Sequence, residues 1–368
     1  MTQISIEHVA VPASLDGPGG ADFLAIADLM NTQQREIWGN DDFYGTPQSQ
    51  LAGRSGTPTR RRLILAARAV ESREILGVVQ LNLPLTDNLH TGNVNVVVAP
   101  DARRQGVGTQ LYFAAEQLAA ANGRRMLMTE TEHLVGVGKA DVDPDREDLA
   151  GTDTARFIPN DAAASFAAKL GFRLELVDRV SRLDLSDYDG GNALQEQAAA
   201  AARAGYELVF WRGACPQDLV GAYAQLRQKM STDAPQGGLD LAEEAWDEAR
   251  VREAEAREVE MDYESLVCAA RHAGSGELAG HTVLEVFRNN LSVAYQDDTL
   301  VLGGHRGHRL GMLMKAANLA RLREAVPGAE RVYTWNAEEN RYMLSINEQL
   351  GFRAVGYAGE WQKQLASA

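Results

Sequence analysis

The sequence has little cysteine, few histidines and no long hydrophobic run. Cys215 and Cys268 are the only two cysteines among 368 residues, and their spacing fits neither a disulfide framework nor a zinc site. No apolar stretch approaches the roughly 20 residues that a membrane-spanning helix needs. Residues 1–7 lack the basic and then apolar pattern of a signal peptide. These absences predict a cytoplasmic protein with no metal site and no membrane partner.

Positive charge is also deficient. The chain has 36 Lys and Arg against 51 Asp and Glu, which gives a formal net charge of −15. Such a charge opposes binding to a nucleic-acid backbone and favours a cationic substrate such as an amine, although it also serves solubility. We therefore expect no nucleic-acid partner, and the oligomeric state stays open.

An internal repeat decides the organisation of the chain. A length of 368 residues favours two domains, and self-comparison shows two copies of one pattern. Three landmarks recur in the same order: residues 75–79, 103–108 and 160–172 correspond to residues 278–282, 306–311 and 340–352. The repeat predicts an N-terminal domain over residues 1–190, a linker helix over 191–204 and a C-terminal domain over 205–368.

Each copy shows the same order of predicted elements. A strand, an amphipathic helical region, a hairpin, a strand running into a glycine loop, a long helix, a strand, a helix and a final strand pair follow one another. In the second copy the helical region includes Leu241 to Val259. The first copy has extra residues, mostly Glu132 to Pro159, whose Gly and Asp content predicts a surface loop over a site. Both copies are therefore expected to be mixed α/β domains with one central sheet.

The most informative segment is the strand Val94 to Ala102 followed by Arg103-x-x-Gly106-x-Gly108 and a helix over Gln110 to Ala121. A strand that enters a glycine turn just before a helix presents successive backbone N–H groups, which favour an anion such as a diphosphate. Alone, this loop is equally consistent with an ordinary strand-to-helix turn.

The order of strand, Arg-x-x-Gly-x-Gly loop, helix, strand, helix and Leu-Gly-Phe resembles the GCN5-related N-acetyltransferase (GNAT) family. The resemblance covers nearly the whole chain and is strongest over Val94 to Phe172 and Thr299 to Phe352. The second copy looks like tandem GNAT proteins of actinobacterial type. The resemblance implies two tandem GNAT folds, each a mixed central β-sheet flanked by helices. It also implies acetyl-CoA as cofactor and direct acetyl transfer to a primary amine of a small molecule.

The resemblance also implies coenzyme-binding residues in both copies. The backbone N–H groups of Val97 and Leu300 would polarise the thioester carbonyl. In the first copy the implied residues are Val97, Val98, Ala99, Arg103, Arg104, Gln105, Gly106, Val107, Gly108, Thr109 and Asn160. In the second copy they are Leu300, Val301, Leu302, Arg306, Gly307, His308, Arg309, Leu310, Gly311, Met312, Asn336 and Asn340.

Several positions depart from the family pattern. Arg309 stands where the first glycine of the coenzyme loop belongs, so the second copy either tolerates a side chain there or binds coenzyme poorly. Ala167 and Asn347 replace the tyrosine that often protonates the departing thiolate. Asn93 and Gln296 replace the carboxylate base of some members. These departures keep a second function open: a coenzyme-binding pseudoenzyme or regulatory protein.

An alkylammonium acceptor must lose a proton before it attacks, so a base is required near the splayed strands. We expect Glu130 in the first copy and Asp298 in the second to be the catalytic bases, from their positions alone. Glu132, His133 and Glu285 lie nearby in the predicted elements. The ordinary alternative for Glu130 is a solvated loop acid, and for Asp298 a strand-end acid. A nucleotide-binding module without acyl transfer would need a Walker lysine or a ribose-binding acid, and neither is evident.

Overall fold

The structure, a computed structural model, describes residues 3–134, 148–150, 157–186, 188, 196, 200 and 205–366. Residues 3–186 are called the first half below, and residues 205–366 the second half. Within these ranges, no helix combines the length and the apolar character needed to cross a membrane.

The elements of the first half are strands β1 (Ile4–Val9), β2 (Arg60–Ala69), β3 (Ile75–Pro84), β4 (Thr91–Val98), β5 (Met126–Leu134), β6 (Asp148–Ala150), β7 (Phe157–Pro159) and β8 (Arg173–Asp184), and helices α1 (Gly20–Trp38), α2 (Pro47–Arg54), α3 (Val107–Ala121) and α4 (Ala162–Lys169). Those of the second half are strands β9 (Tyr206–Arg212), β10 (Tyr263–His272), β11 (Leu278–Phe287), β12 (Val293–Val301), β13 (Arg331–Ala337) and β14 (Arg353–Gln364), and helices α5 (Val220–Asp233), α6 (Glu248–Glu260), α7 (Leu310–Ala325) and α8 (Arg341–Gln349). A 3₁₀ turn precedes α3 at Pro100–Ala102 and α7 at Gly303–His305.

Twelve of these strands form one continuous sheet. Its order is β1-β2-β3-β4-β5-β14-β8-β13-β12-β11-β10-β9, and β6 pairs with β7 in a separate hairpin. The last strand of each half has therefore been exchanged. Strand β14 of the second half lies between β5 and β8, while β8 of the first half pairs with β13. As a result, each half completes the sheet of the other.

Buried side chains point alternately to the two faces of each strand, and helices pack on both faces in each half. In β2, Leu63 and Ala67 face the cluster that contains α3, whereas Ile64 and Ala66 face the cluster that contains α1. The same alternation in the second half separates α7 from α5. Because successive side chains of a strand point to opposite faces, the sheet is sandwiched between helices on both sides.

A buried ion pair joins the two halves beside the exchanged strands. The Asp42 carboxylate, in the loop after α1, accepts hydrogen bonds from Arg331 at 2.9 and 3.0 Å and from the hydroxyl group of Tyr333 at 2.7 Å. Asp42 is 8% exposed, so its charge is desolvated and depends on these donors. The loop is thereby fixed against β13.

The predicted α/β class with two repeated domains is confirmed, and the limits 1–190, 191–204 and 205–368 stay a prediction. The predicted linker helix lies almost entirely outside the described residues, as do 135–147 and 151–156 of the predicted surface loop. The helix expected over Leu241 to Val259 was wrong at its start. It begins at Glu248, because the Asp247 side chain caps it by accepting the Arg250 N–H at 2.8 Å.

Candidate active site

In both halves, two parallel strands separate in the middle of the sheet. Strands β4 and β5 pair only from Thr91 to Asn93, and β12 and β13 pair only from Val293 to Gln296. Beyond these pairs, within the described residues, β4 is paired only with β3, and β12 is paired only with β11. Each gap opens next to a predicted coenzyme loop. Val97 and Leu300, the predicted carbonyl-polarising residues, lie on the strand that borders each gap.

The two predicted coenzyme loops have the same backbone conformation. Arg104 and Gly106 adopt left-handed backbone with φ of 61° and 85°, and their counterparts Gly307 and Arg309 do so with φ of 87° and 57°. Arginine rarely takes this conformation, which costs a non-glycine residue about 1–2 kcal/mol. Arg309 is therefore tolerated in the position that glycine holds in the first half, at the cost of local strain.

The first-half loop fits an anionic phosphate group. Within the described part of the chain, the backbone N–H groups from Gln105 to Thr109 have no hydrogen-bond acceptor. A side chain at Gly106 would meet no atom within 4 Å, so the approach to these groups is open. Gly108, in contrast, packs tightly under Val98 and Phe166. The helix start therefore lies close against β4, with free donors at the end of the helix dipole.

One arginine anchors each loop to the strand before it. Arg103 donates from Nε to the carbonyl oxygen of Val98 at 3.0 Å, and Arg306 donates to that of Val301 at 3.1 Å. Their outer nitrogens pair with Glu36 and Asp233 respectively. These arginines are thus partly neutralised and shape the loop.

Other predicted coenzyme residues flank the loops. Val97 and Leu300 are buried. The N–H groups of Ala99 and Leu302 donate to the carbonyl oxygens of Leu76 and Ala279, each at 2.9 Å. These N–H groups are consequently already satisfied by protein. Leu310, Gly311 and Met312 form the first turn of α7, and His308 lies 5.4 Å from the Tyr206 ring, between centroids.

A cleft of about 1260 Å³ occupies the gap of the first half. It brings together the predicted coenzyme residues Val98, Arg103, Arg104, Gly106, Val107, Gly108 and Thr109 with the predicted base Glu130. Helix α1 contributes Gln33, Gln34, Glu36 and Ile37, and α4 contributes its exposed face. Coenzyme loop and predicted base thus share one cavity.

Three carboxyl groups meet in this cleft. Glu130 and Glu132 come from β5, and Glu360 comes from β14, where it is the register partner of Glu130. Burial and the Glu130 carboxyl raise the pKa of Glu132 to about 7. Burial and Glu130 likewise raise the pKa of Glu360 well above its ordinary value. Glu132 Oε2 accepts a hydrogen bond from Gln34 Nε2 at 3.1 Å.

A buried polar network supports the wall of the cleft. His133, which is 2% exposed, contacts Asp161 Oδ2 through Nδ1 at 2.7 Å and Thr131 Oγ1 through Nε2 at 2.8 Å. Trp361 of β14 donates to the same Thr131 oxygen at 2.8 Å. Burial opposes ionisation of Asp161, but hydrogen bonds from His133 and Ala164 lower its pKa. This network fixes the start of α4 against β5 and β14.

The predicted asparagines have local partners. Asn160 Oδ1 accepts from Ser165 Oγ at 2.7 Å, and Asn340 caps α8 by accepting the Met343 N–H at 3.2 Å. Asn336 Oδ1 accepts from Asn347 Nδ2 at 2.6 Å. Asn340 therefore has the helix-capping role that its position before α8 also allows.

The second half has different charges at the corresponding positions. Register partners Asn336 and Arg179 take the places of Glu130 and Glu360. Arg179 donates to Glu338 at 2.6 and 3.0 Å and to Glu348 at 2.9 Å. The acids at this gap are thus neutralised by an arginine of the exchanged strand β8, whereas no described residue supplies such a cation to the three acids of the first half.

Asp298, the predicted second-half base, faces an arginine. Arg227 Nη1 lies 3.5 Å from Asp298 and 3.9 Å from Asp297, and its guanidinium stacks 4.7 Å from the Trp246 ring centroid. Burial and Asp297 raise the pKa of Asp298 to about 7, while Arg227 opposes the shift. Burial and the same aspartate raise the pKa of Glu285 well above its ordinary value. An internal cation therefore already lies beside these acids.

Sequence reasoning missed Glu360, Gln34 and Lys363. All three reach the first-half cleft or its wall from elements distant in sequence, and Lys363 Nζ contacts Tyr112 Oη at 2.8 Å. The only available signal was the final strand after the second Leu-Gly-Phe, and periodicity does not reveal which half such a strand joins.

Comparisons with known proteins agree with this geometry. Residues 24–135 match the Acetyltransferase (GNAT) family, whose members use acetyl-CoA as acetyl donor. One relative is the aminoglycoside N(6')-acetyltransferase type 1 of Klebsiella aerogenes, which is 35% identical over 103 residues. That match covers 26% of this chain and 66% of the relative's length.

Solved structures share the complete architecture. A tandem GNAT protein from the clavulanic acid biosynthesis pathway superposes with a TM-score of 0.76 at 23% identity, covering 100% of both chains. A GCN5-related N-acetyltransferase from Sphaerobacter thermophilus gives 0.61 at 13% identity, covering 99% of this chain and 96% of its own. Residues 24–135 therefore match the GNAT acetyltransferase family, and the whole chain has the fold of tandem GNAT proteins.

Proposed function

We propose that this protein is a cytoplasmic, acetyl-CoA-dependent N-acetyltransferase that acts on a primary amine of a small molecule in the cleft of its first half. One observation carries the proposal: the open coenzyme loop and three carboxyl groups that no described residue pairs with a cation line the same cavity. The similarity to an aminoglycoside N-acetyltransferase supports a cationic amine as acceptor. The two free, buried cysteines fit a reducing compartment.

The first-half residues would divide the work as follows. Backbone N–H groups from Gln105 to Thr109 would hold the coenzyme diphosphate, and the Val97 N–H would polarise the thioester carbonyl. Bound acetyl-CoA supplies the acetyl group. Glu132 attracts the ammonium group, and Glu130 takes its proton. Because an alkylammonium has a pKa near 10, this proton must be removed before the nitrogen attacks. Direct transfer in a ternary complex follows, since donor and acceptor share one cleft.

A specific observation favours a second role for the second half. Its acids are paired with Arg179 and Arg227, so a cationic acceptor would have to displace an internal arginine. We propose that the second half binds coenzyme weakly, because its loop is strained, and supports the first half without turnover. Asp298 remains the base to test should the second half prove active.

The test is a thiol-release screen with acetyl-CoA against monoamines, diamines, aminoglycosides and amino acids, with mass spectrometry of the products. We expect turnover with cationic small-molecule amines and a mass gain of one acetyl group. An absence of amine-dependent thiol release across the panel would contradict the proposal.

A further inference from the structure

The final strand of the second half places a titratable side chain inside the first-half cleft. Strand β14 runs antiparallel to β5, and Glu360 lies opposite Glu130 in this register. Both side chains line the cleft, where burial and the Glu130 carboxyl raise the pKa of Glu360. Two neighbouring carboxylates that are both ionised repel each other, so such a pair readily takes up one proton.

We infer that Glu360 acts through Glu130 as a positioning residue of the proposed acetyl transfer, so that the two carboxyl groups hold the proton taken from the acceptor amine. The inference rests on the proposed function and adds a residue from the other half of the chain. It makes the first-half active site incomplete without strand β14.

The surroundings of the pair favour this role. Asp178 on β8 and Glu132 on β5 also raise the pKa of Glu360. Both acids therefore disfavour a negative charge on Glu360. The indole of Trp38, which is 4% exposed, opposes the rise in the pKa of Glu132.

The repeat supplies an internal comparison. At the corresponding positions of the second half, Asn336 faces Arg179, and Arg179 is bound by Glu338 and Glu348. Neither Asn336 nor Arg179 takes up a proton at neutral pH. At these two matched positions, the carboxyl pair is therefore a feature of the first half.

The proton balance follows from the chemistry of the acceptor. The ionised pair takes one proton from the ammonium group and holds it between two carboxyl oxygens. The acceptor nitrogen then bonds to the acetyl carbon as the carbon–sulfur bond breaks, and its second proton goes to the departing sulfur. The pair afterwards releases its proton to water, which restores the starting state. A carboxyl pair that binds its last proton tightly is a stronger base than either group alone.

Glu360→Gln and Glu130→Gln test the inference, with Glu264→Gln as the matched control. Glu264 is a strand glutamate that pairs with Arg212 at 2.6 Å and does not line the described cleft. We expect Glu360→Gln to lower kcat/KM by about 10-fold or more and to move the acid limb of the pH–rate profile to lower pH. The double variant should be no slower than the slower single variant, because the groups act as a unit. Acetyl-CoA affinity should stay unchanged.

A second readout needs no turnover. A carboxyl group whose pKa is raised on folding stabilises the folded state below its unfolded pKa, and this contribution is lost as pH rises through the folded value. The wild type should therefore lose stability between about pH 5 and 8. Glu360→Gln and Glu130→Gln should each reduce that loss, whereas Glu264→Gln should not.

The outcomes separate the two proposals. If the wild type acetylates amines and Glu360→Gln keeps its rate and pH profile, the role of Glu360 is wrong and the proposed function stands. If the wild type acetylates no amine, the stability profiles still decide whether the two carboxyl groups share a proton. If stability changes equally with pH in the wild type and in both variants, the inference that the two carboxyl groups share a proton is wrong. If Glu360→Gln does not fold, the pH dependence of stability in Glu130→Gln carries the test.

Discussion

Glu360 lies directly opposite Glu130 where strands β14 and β5 pair, although one residue belongs to the second half of the chain and the other to the first. This contact exists because the two halves exchange their last strands within one twelve-stranded sheet. The first-half cleft is therefore built from both repeats. A tandem arrangement gives the second half a function even if its own gap does not bind an acceptor.

Coenzyme binding should depend on the loop of the first half. Gly106→Glu adds a negative side chain where free N–H groups face an open space, and we expect it to weaken acetyl-CoA binding to the first half by about 100-fold or more. Gly123→Glu is the control, because Gly123 has a similar φ of 75° and equally open surroundings outside the cleft. Isothermal titration calorimetry measures both. Undiminished first-half affinity in Gly106→Glu would refute this assignment.

Arg309→Gly should stabilise the protein. Arg309 has a left-handed backbone with φ of 57° and begins α7, and glycine adopts this conformation without a steric penalty. After the entropy cost of glycine, we expect a gain of about 0.5–1 kcal/mol in the free energy of unfolding. Urea denaturation checks this, with Arg104→Gly, at the left-handed arginine of the first-half loop, as a second test. A loss of stability in both variants would show that the side chains contribute more than the strain costs.

The sequence predicted some of these features and not others, for physical reasons. The repeat predicted two α/β copies, and the Arg-x-x-Gly-x-Gly pattern predicted the loop between β4 and α3, because local spacing determines both. The strand exchange was not predictable, since alternation in Arg353–Gln364 specifies a strand but not its neighbour. Glu360 was missed for this reason. The left-handed Arg309 was also hidden, because arginine seldom adopts that backbone.

Glu132 should bind the acceptor more strongly at higher pH. Burial and Glu130 raise its pKa to about 7, so its negative charge develops as pH rises through that value. The wild-type KM for a cationic amine should consequently fall between pH 6 and 8, while the amine itself stays protonated. Glu132→Gln should have a higher KM at pH 8 and a weaker dependence on pH. Steady-state kinetics at pH 6 and pH 8 measure this. If the ratio of KM at pH 6 to KM at pH 8 is the same in the wild type and in Glu132→Gln, Glu132 does not have this role.

Lys315 should be a source of instability that is independent of the first-half cleft. It is 1% exposed in α7, has no ion-pair partner in the ranges described, and burial lowers its pKa to about 7. We expect Lys315→Met to stabilise the protein by about 1–3 kcal/mol at pH 7. The penalty of the buried amine falls as pH rises from 7 toward its unfolded pKa, so the gain should be smaller at pH 9.5. Chemical denaturation at the two pH values tests this, and a gain that grows with pH would contradict it.

The most direct measurement of the central claim is kcat/KM for the best amine acceptor in Gly106→Glu and Arg309→Glu proteins. Both changes put a glutamate at the same loop position, one in each half. Our account predicts that Gly106→Glu loses about 100-fold or more, whereas Arg309→Glu retains most of the wild-type rate. A large loss in Arg309→Glu with Gly106→Glu unaffected would place the reaction in the second half and contradict the account.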